Sequence, residues 1–121
     1  HLNGWHTKSA DYLRNIEKCN QLLNTTIFRP PYGRIKPTQI KALQQQYKII
    51  MWDVLSGDFD SKITSEKCLK NVISNTKSGS IIVFHDSLKA ANNLKNSLPK
   101  AIDFLLENNF TFGKITNEIF C

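Results

Sequence analysis

Tyr47-Lys48-Ile49-Ile50-Met51-Trp52-Asp53 is a nearly continuous apolar run ending in an acidic residue, and Ser80-Ile81-Ile82-Val83-Phe84 is a second, followed at once by His85-Asp86. Short runs without polar alternation have the pattern of strands buried on both faces. Strands of that kind belong to parallel sheets, whose crossover helices cover both sides. The segments around them carry the helical period. Over Ser9–Leu23, Tyr12, Leu13, Ile16, Cys19, Leu22 and Leu23 recur at spacings of three and four, with Ser9 as the expected N-cap. Pro37 suits a first helical turn, and Ile40 and Leu43 predict the buried side of a helix to Gln46. Ser65–Ser74 predicts another, with Cys68, Leu69, Val72 and Ile73 inward. A last helix is expected after an N-cap at Ser97, with Pro99 near its start, Ile102, Leu105 and Leu106 inward, and a stop at Asn108-Asn109. Ile27-Phe28 and Phe110–Phe112 read as short flanking strands.

Strict alternation of helix and apolar strand means a parallel α/β sheet or barrel. A closed barrel of this type takes roughly 200 residues or more, whereas the chain has 121. Strands N-terminal to this sequence are therefore expected to be missing from it.

Composition narrows the function classes. Hydrophobic residues make up 40% and charged residues 21%, which is globular usage and excludes a disordered or collagen-like segment. No apolar run reaches the 18 residues of a membrane-spanning helix. The net charge is +6, but the basic residues are scattered singly. That is a solvated basic surface; a nucleic-acid partner would call for a basic stripe or an aromatic platform. Cys19, Cys68 and Cys121 are odd in number and widely spaced, with no CxxC, so they form neither a disulfide framework nor a zinc or redox motif. Cys19 and Cys68 are expected as small core residues.

In parallel α/β proteins the sites lie at the carboxyl ends of the strands. There the sequence puts Arg29-Pro30-Pro31-Tyr32-Gly33, then Asp53 through Asp60, then His85-Asp86. Each alone is ordinary: a structural histidine, a turn built from Asp, Ser and Gly, a rigid Pro-Pro. Their joint placement on one rim predicts a site.

Arg29-Pro30-Pro31-Tyr32-Gly33, Trp52-Asp53-Val54-Leu55-Ser56-Gly57-Asp58-Phe59 and Ile82-Val83-Phe84-His85-Asp86 resemble, in order and spacing, three signature segments of the polysaccharide deacetylases. These carry the NodB homology domain of carbohydrate esterase family four. The resemblance implies a distorted (β/α) barrel, of which residues 1–121 would be the C-terminal portion. It implies metal-dependent hydrolysis of acetyl groups, with the N-acetyl amide favoured, on a polysaccharide such as chitin or peptidoglycan. The alternative is a catalytically inactive carbohydrate-binding relative. His1 resembles the second histidine of the family's His-Ser/Thr-x-x-His segment and would be a ligand of a divalent metal, zinc in expectation. The other ligands and the catalytic aspartate are expected upstream, so the 121 residues alone are expected to be inactive and to bind metal poorly. A second copy or the missing segment would cover the open sheet edge. The resemblance further implies that the Tyr32 backbone N–H holds the oxyanion and that Pro30 and Pro31 fix that backbone. Arg29 would orient the catalytic aspartate, and His85 would be the general acid. Asp58, rather than Asp86, is expected to favour the imidazolium, because neighbours on a strand point to opposite faces. Two positions depart from the family pattern. Phe59 stands where Trp commonly lines the acetyl pocket, and Leu55 stands where Asp is frequent. Both bear on substrate preference more than on reaction class. Family members often work at the cell envelope or outside the cell; the sequence itself assigns no compartment.

Overall fold

The computed structural model describes residues 2–116. They form two compact units, one built on Leu2–Met51 with Ile115 and Thr116, the other on Trp52–Lys114. His1, the expected metal ligand, and Cys121 lie outside the described residues.

In the first unit, helix α1 (Ser9–Leu23) leads to strand β1 (Ile27–Phe28), and helix α2 (Pro37–Leu43) leads to strand β2 (Lys48–Ile49). The two strands pair in parallel, Ile27 opposite Lys48. Tyr12, Ile16, Leu43 and Tyr47 form the core, with Leu13, Phe28, Ile35 and Ile49 against it. Phe28 meets both tyrosine rings edge to face, each at 6.3 Å. Among the described residues the Tyr12 hydroxyl is buried without a hydrogen-bond partner. Three details differ from the sequence expectation. Lys8, not Ser9, is the N-cap of α1. Cys19 is exposed rather than core. On α2 the buried residue beside Leu43 is Gln39, while Ile40 is exposed. Gln39 turns inward because both ends of its amide are hydrogen-bonded: Oε1 accepts from Lys36 N at 2.8 Å and Nε2 donates to Gly4 O at 3.0 Å.

In the second unit, strand β3 (Val54–Leu55) is followed by helix α3 (Ser65–Ile73), strand β4 (Ile82–Val83) and helix α4 (Ala91–Glu107). β3 and β4 are parallel, Val54 opposite Ile82. Val54, Val72, Ala101 and Leu105 form the core, backed by Leu69, Ile82, Phe84 and Phe110. Asp53 ties the two strands at their start, accepting from Ser80 Oγ at 2.8 Å and Ile81 N at 2.7 Å. The Ser80 hydroxyl, then the Ile81 N–H, hold its carboxyl below the usual range.

The parallel pairing is as the apolar runs predicted, but of the strand expected over 47–53 only Lys48–Ile49 forms, and β3 begins just past the run at Val54. Ile50 N donates to Phe28 O at 2.8 Å, whereas Val54 N donates to Ile81 O at 3.2 Å. The chain therefore changes partner strand between 50 and 54, and Met51 is exposed at the change. Trp52 is half-buried there. Helix α4 also begins six residues before Ser97. Asn93 and Ser97 occupy its buried face, so the apolar period does not register in its first two turns. Ala101 and Leu105 face inward, while Ile102 and Leu106 are exposed. Pro99 is thus inside the helix; packing of the helix against α3 and β3 outweighs the lost hydrogen bond, a cost of about 3 kcal/mol. No strand forms at 110–112. Asn109 takes a left-handed φ of 63°, its N–H donates to Leu106 O at 3.0 Å, and Phe110 N donates to Leu105 O at 2.9 Å. These two bonds are a Schellman cap, in which Phe110 supplies the accompanying apolar contact.

Candidate active site

The loop after β3 carries Ser56, Gly57, Asp58 and Phe59; His85 follows β4 directly. Because β3 and β4 are parallel, both loops leave from the carboxyl ends of neighbouring strands. Asp58 is fully buried. Its Oδ1 lies 2.8 Å from His85 Nδ1 and accepts from Ser56 Oγ at 3.0 Å, while Oδ2 accepts from His85 N at 2.7 Å. An ionised carboxylate only accepts, so the proton of the His85 contact sits on Nδ1 and Nε2 is left for another partner. The imidazole is about one-third exposed. The Phe59 ring stands edge-on to it, 4.9 Å between centroids at 72°. The Asp58–His85 geometry can therefore hold a ring in one orientation and stabilise its charge, leaving the opposite nitrogen for another partner. Asp86, the competing carboxylate, is exposed.

The loop is held by side chains that apolar patterning does not register. Asn71 Nδ2 donates to Ser56 O at 2.9 Å, and Asn93 Nδ2 donates to Asp58 O at 3.3 Å. Gly57 has φ 80°, and a Cβ there would sit 2.9 Å from Ile63 Cδ1. Ser56, Asn71 and Asn93 were not foreseen as site residues. The signal for Asn93 is present only once α4 is known to start before Ser97. Cys68 is fully buried nearby; burial first, then the charge of Asp58, pushes its thiol above the ordinary range. That leaves it protonated and inert.

In the first unit, Arg29 and Tyr32 are exposed and Pro30 is buried. Pro31–Gly33 form a 3₁₀ turn in which Gly33 N donates to Pro30 O at 3.0 Å and Arg34 N to Pro31 O at 3.1 Å. Tyr32 has φ 60° and ψ 9°, a left-handed conformation that costs a bulky residue roughly 1–3 kcal/mol. Tyr32 sits in the first turn, where an N–H has no acceptor within the helix. Among the described residues no group of three or more His, Cys, Asp or Glu could hold a metal ion.

A parallel α/β chain with an Arg-Pro-Pro-Tyr-Gly turn and a buried Asp–His pair at its strand ends has the features of a carbohydrate-deacetylase domain. Comparison bears this out. No family model matches the chain. It is 34% identical over 125 residues to chitin deacetylase 2 of Saccharomyces cerevisiae, covering 84% of this chain and 40% of that protein. A crystal structure of a peptidoglycan N-acetylglucosamine deacetylase matches with a TM-score of 0.85 at 26% identity, over 93% of this chain and 56% of the other. A carbohydrate esterase family 4 pseudoenzyme from Bacillus anthracis matches in fold, with a TM-score of 0.76 at 23% identity over 91% and 40% of the two chains. By sequence and by fold the chain is similar to the polysaccharide deacetylases of carbohydrate esterase family four, and its fold is of their distorted (β/α) barrel type. It spans about 40% of the curated relative's length.

Proposed function

We propose that residues 1–121 are the C-terminal portion of one NodB homology domain. They would supply the proton-donating and oxyanion-holding parts of a hydrolase that removes N-acetyl groups from chitin or peptidoglycan. The observation that carries the reading is the Asp58–His85 contact of 2.8 Å with Asp58 wholly buried. In the proposed reaction His85 Nε2 gives its proton to the departing amine nitrogen, and Asp58 stabilises the imidazolium beforehand. The Tyr32 N–H, presented by a turn that Pro30 and Pro31 stiffen, donates to the oxygen of the tetrahedral intermediate. Arg29 would pair in bidentate fashion with a catalytic aspartate contributed from elsewhere in the domain. Phe59, beside the imidazole, would wall the acetyl methyl.

A divalent metal, zinc by family resemblance, would polarise the acetyl group. The described residues do not by themselves make its site; His1 would be this chain's ligand. The 121 residues alone would then be inactive. The relation to the Bacillus anthracis pseudoenzyme favours one second reading, a glycan-binding relative without turnover.

The intact protein should release acetate from N-acetylglucosamine oligomers. Binding of the oligomers without acetate release would assign it to the second reading. The His85→Ala protein should keep its metal content; loss of metal would make His85 a ligand instead of the acid.

A further inference from the structure

Asn93 lies in the first turn of α4 and is buried. Its Nδ2 faces three main-chain oxygens of the loop after β3: Ile63 O at 3.2 Å, Asp58 O at 3.3 Å and Asp60 O at 3.5 Å. Its Oδ1 accepts from Ser65 Oγ at 3.1 Å. Carbonyl oxygens only accept, so the NH₂ group must face them, and this fixes the orientation of the amide. Two N–H bonds serve three acceptors, with the nearer two taking the larger share. A buried amide is costly unless satisfied, and here every partner but Ser65 is loop main chain.

The start of the loop is held by Ser56 N to Val83 O at 3.2 Å and by Asn71 Nδ2 to Ser56 O at 2.9 Å. Beyond Ser56, among the described residues, the main-chain to main-chain bonds are turn contacts, Asp60 N to Gly57 O at 2.9 Å and Ile63 N to Asp60 O at 3.2 Å. Asn93 ties both arms of the loop to a 17-residue helix. One of its ties is to Asp58 itself, whose carboxylate must meet His85 Nδ1 and His85 N together.

We propose that Asn93 is a positioning residue for the Asp58–His85 pair. It anchors the Asp58 main chain to α4, so that the carboxylate keeps the ring's Nδ1–H bonded in the neutral ring and in the imidazolium alike, and Nε2 is the nitrogen that gains and gives up the proton. The proposal rests on the reading of His85 as proton donor, but its structural part does not depend on any substrate.

The test uses the intact protein and two readouts. The first is the ¹⁵N shift pair of the His85 ring, assigned with His85→Gln. With the ring neutral, above its titration, wild type should show a single Nδ1–H tautomer, and Asn93→Ala a mixture. The second is acetate release from N-acetylglucosamine oligomers. In Asn93→Ala, kcat should fall about 10- to 100-fold, the scale of a misplaced catalytic group, with KM changed less than about threefold. Ser65→Ala removes only the Oδ1 partner and should leave both readouts close to wild type. If Asn93→Ala does not fold, Asn93→Leu carries the test, since it fills nearly the same space and removes both N–H donors. A folded Asn93 variant with wild-type ring shifts and wild-type kcat would overturn the proposal. Lack of acetate release by wild type would remove the deacetylase reading and leave the tautomer comparison to decide on Asn93.

Discussion

Two loops of this molecule fix their residues by opposite means. The Arg29–Gly33 turn relies on covalent restriction: two prolines, a 3₁₀ turn and a tyrosine held at φ 60°. Its Arg29 and Tyr32 side chains are exposed, and what it presents is backbone. The Ser56–Asp60 loop relies on polar side chains: buried Ser56 and Asp58 within it, half-buried Asn71 and buried Asn93 from the helices beside it. What it presents is a side-chain pair, Asp58 with His85. A backbone donor can be preset by local chain geometry alone. A carboxylate–imidazole contact needs tertiary anchors, because both side chains have torsions of their own.

If that contrast is right, the two loops respond differently to substitution. The larger stability effect is expected at Gly57. Gly57→Ala places a Cβ 2.9 Å from Ile63 Cδ1 at φ 80°, a left-handed penalty of about 1–2 kcal/mol before any clash. Thermal unfolding should show a clear loss of stability, and turnover should fall as Asp58 shifts. Unchanged stability would mean the loop is slacker than its hydrogen bonds indicate. The smaller effect is expected at Tyr32. Tyr32→Gly relieves a strained φ but adds freedom to the unfolded chain, a cost of about 0.5–1 kcal/mol. Stability should therefore stay level or rise, since the roughly 1–3 kcal/mol of relieved strain is offset only in part. Turnover should stay within about tenfold of wild type, because the proposed group is the main-chain N–H. A loss as large as that from removing a general acid, about 10²–10⁴-fold, would instead give the Tyr32 side chain the role.

The same contrast explains how much could be read from the sequence. Ile82 and Val83, with Phe84 against the core, announced a buried parallel strand because apolar runs report burial directly. The turn at Arg29–Gly33 was legible for a related reason, since proline and glycine write backbone geometry into composition. Asp58 and His85 stood out as titratable residues at strand ends. Their anchors did not. Asn93 and Ser97 are polar residues on a buried helix face, so hydrophobic periodicity placed the start of α4 too late. Gln39 hid the buried face of α2 in the same way. The run over 47–53 misled differently: its apolar character is continuous, while the chain's pairing partner changes between Ile50 and Val54. Composition carries no sign of which neighbour a strand chooses.

The central claim is that Asp58 and His85 deliver a proton to a poor leaving group. It is tested most directly by comparing His85→Ala with wild type, both as the intact protein, on two acetyl donors. One is an N-acetylglucosamine oligomer, whose amine must be protonated to depart. The other is an aryl acetate, whose phenolate leaves unaided. The account predicts a loss of roughly 10²–10⁴-fold on the amide and less than about tenfold on the ester. Equal losses on both, or no loss on the amide, would contradict it.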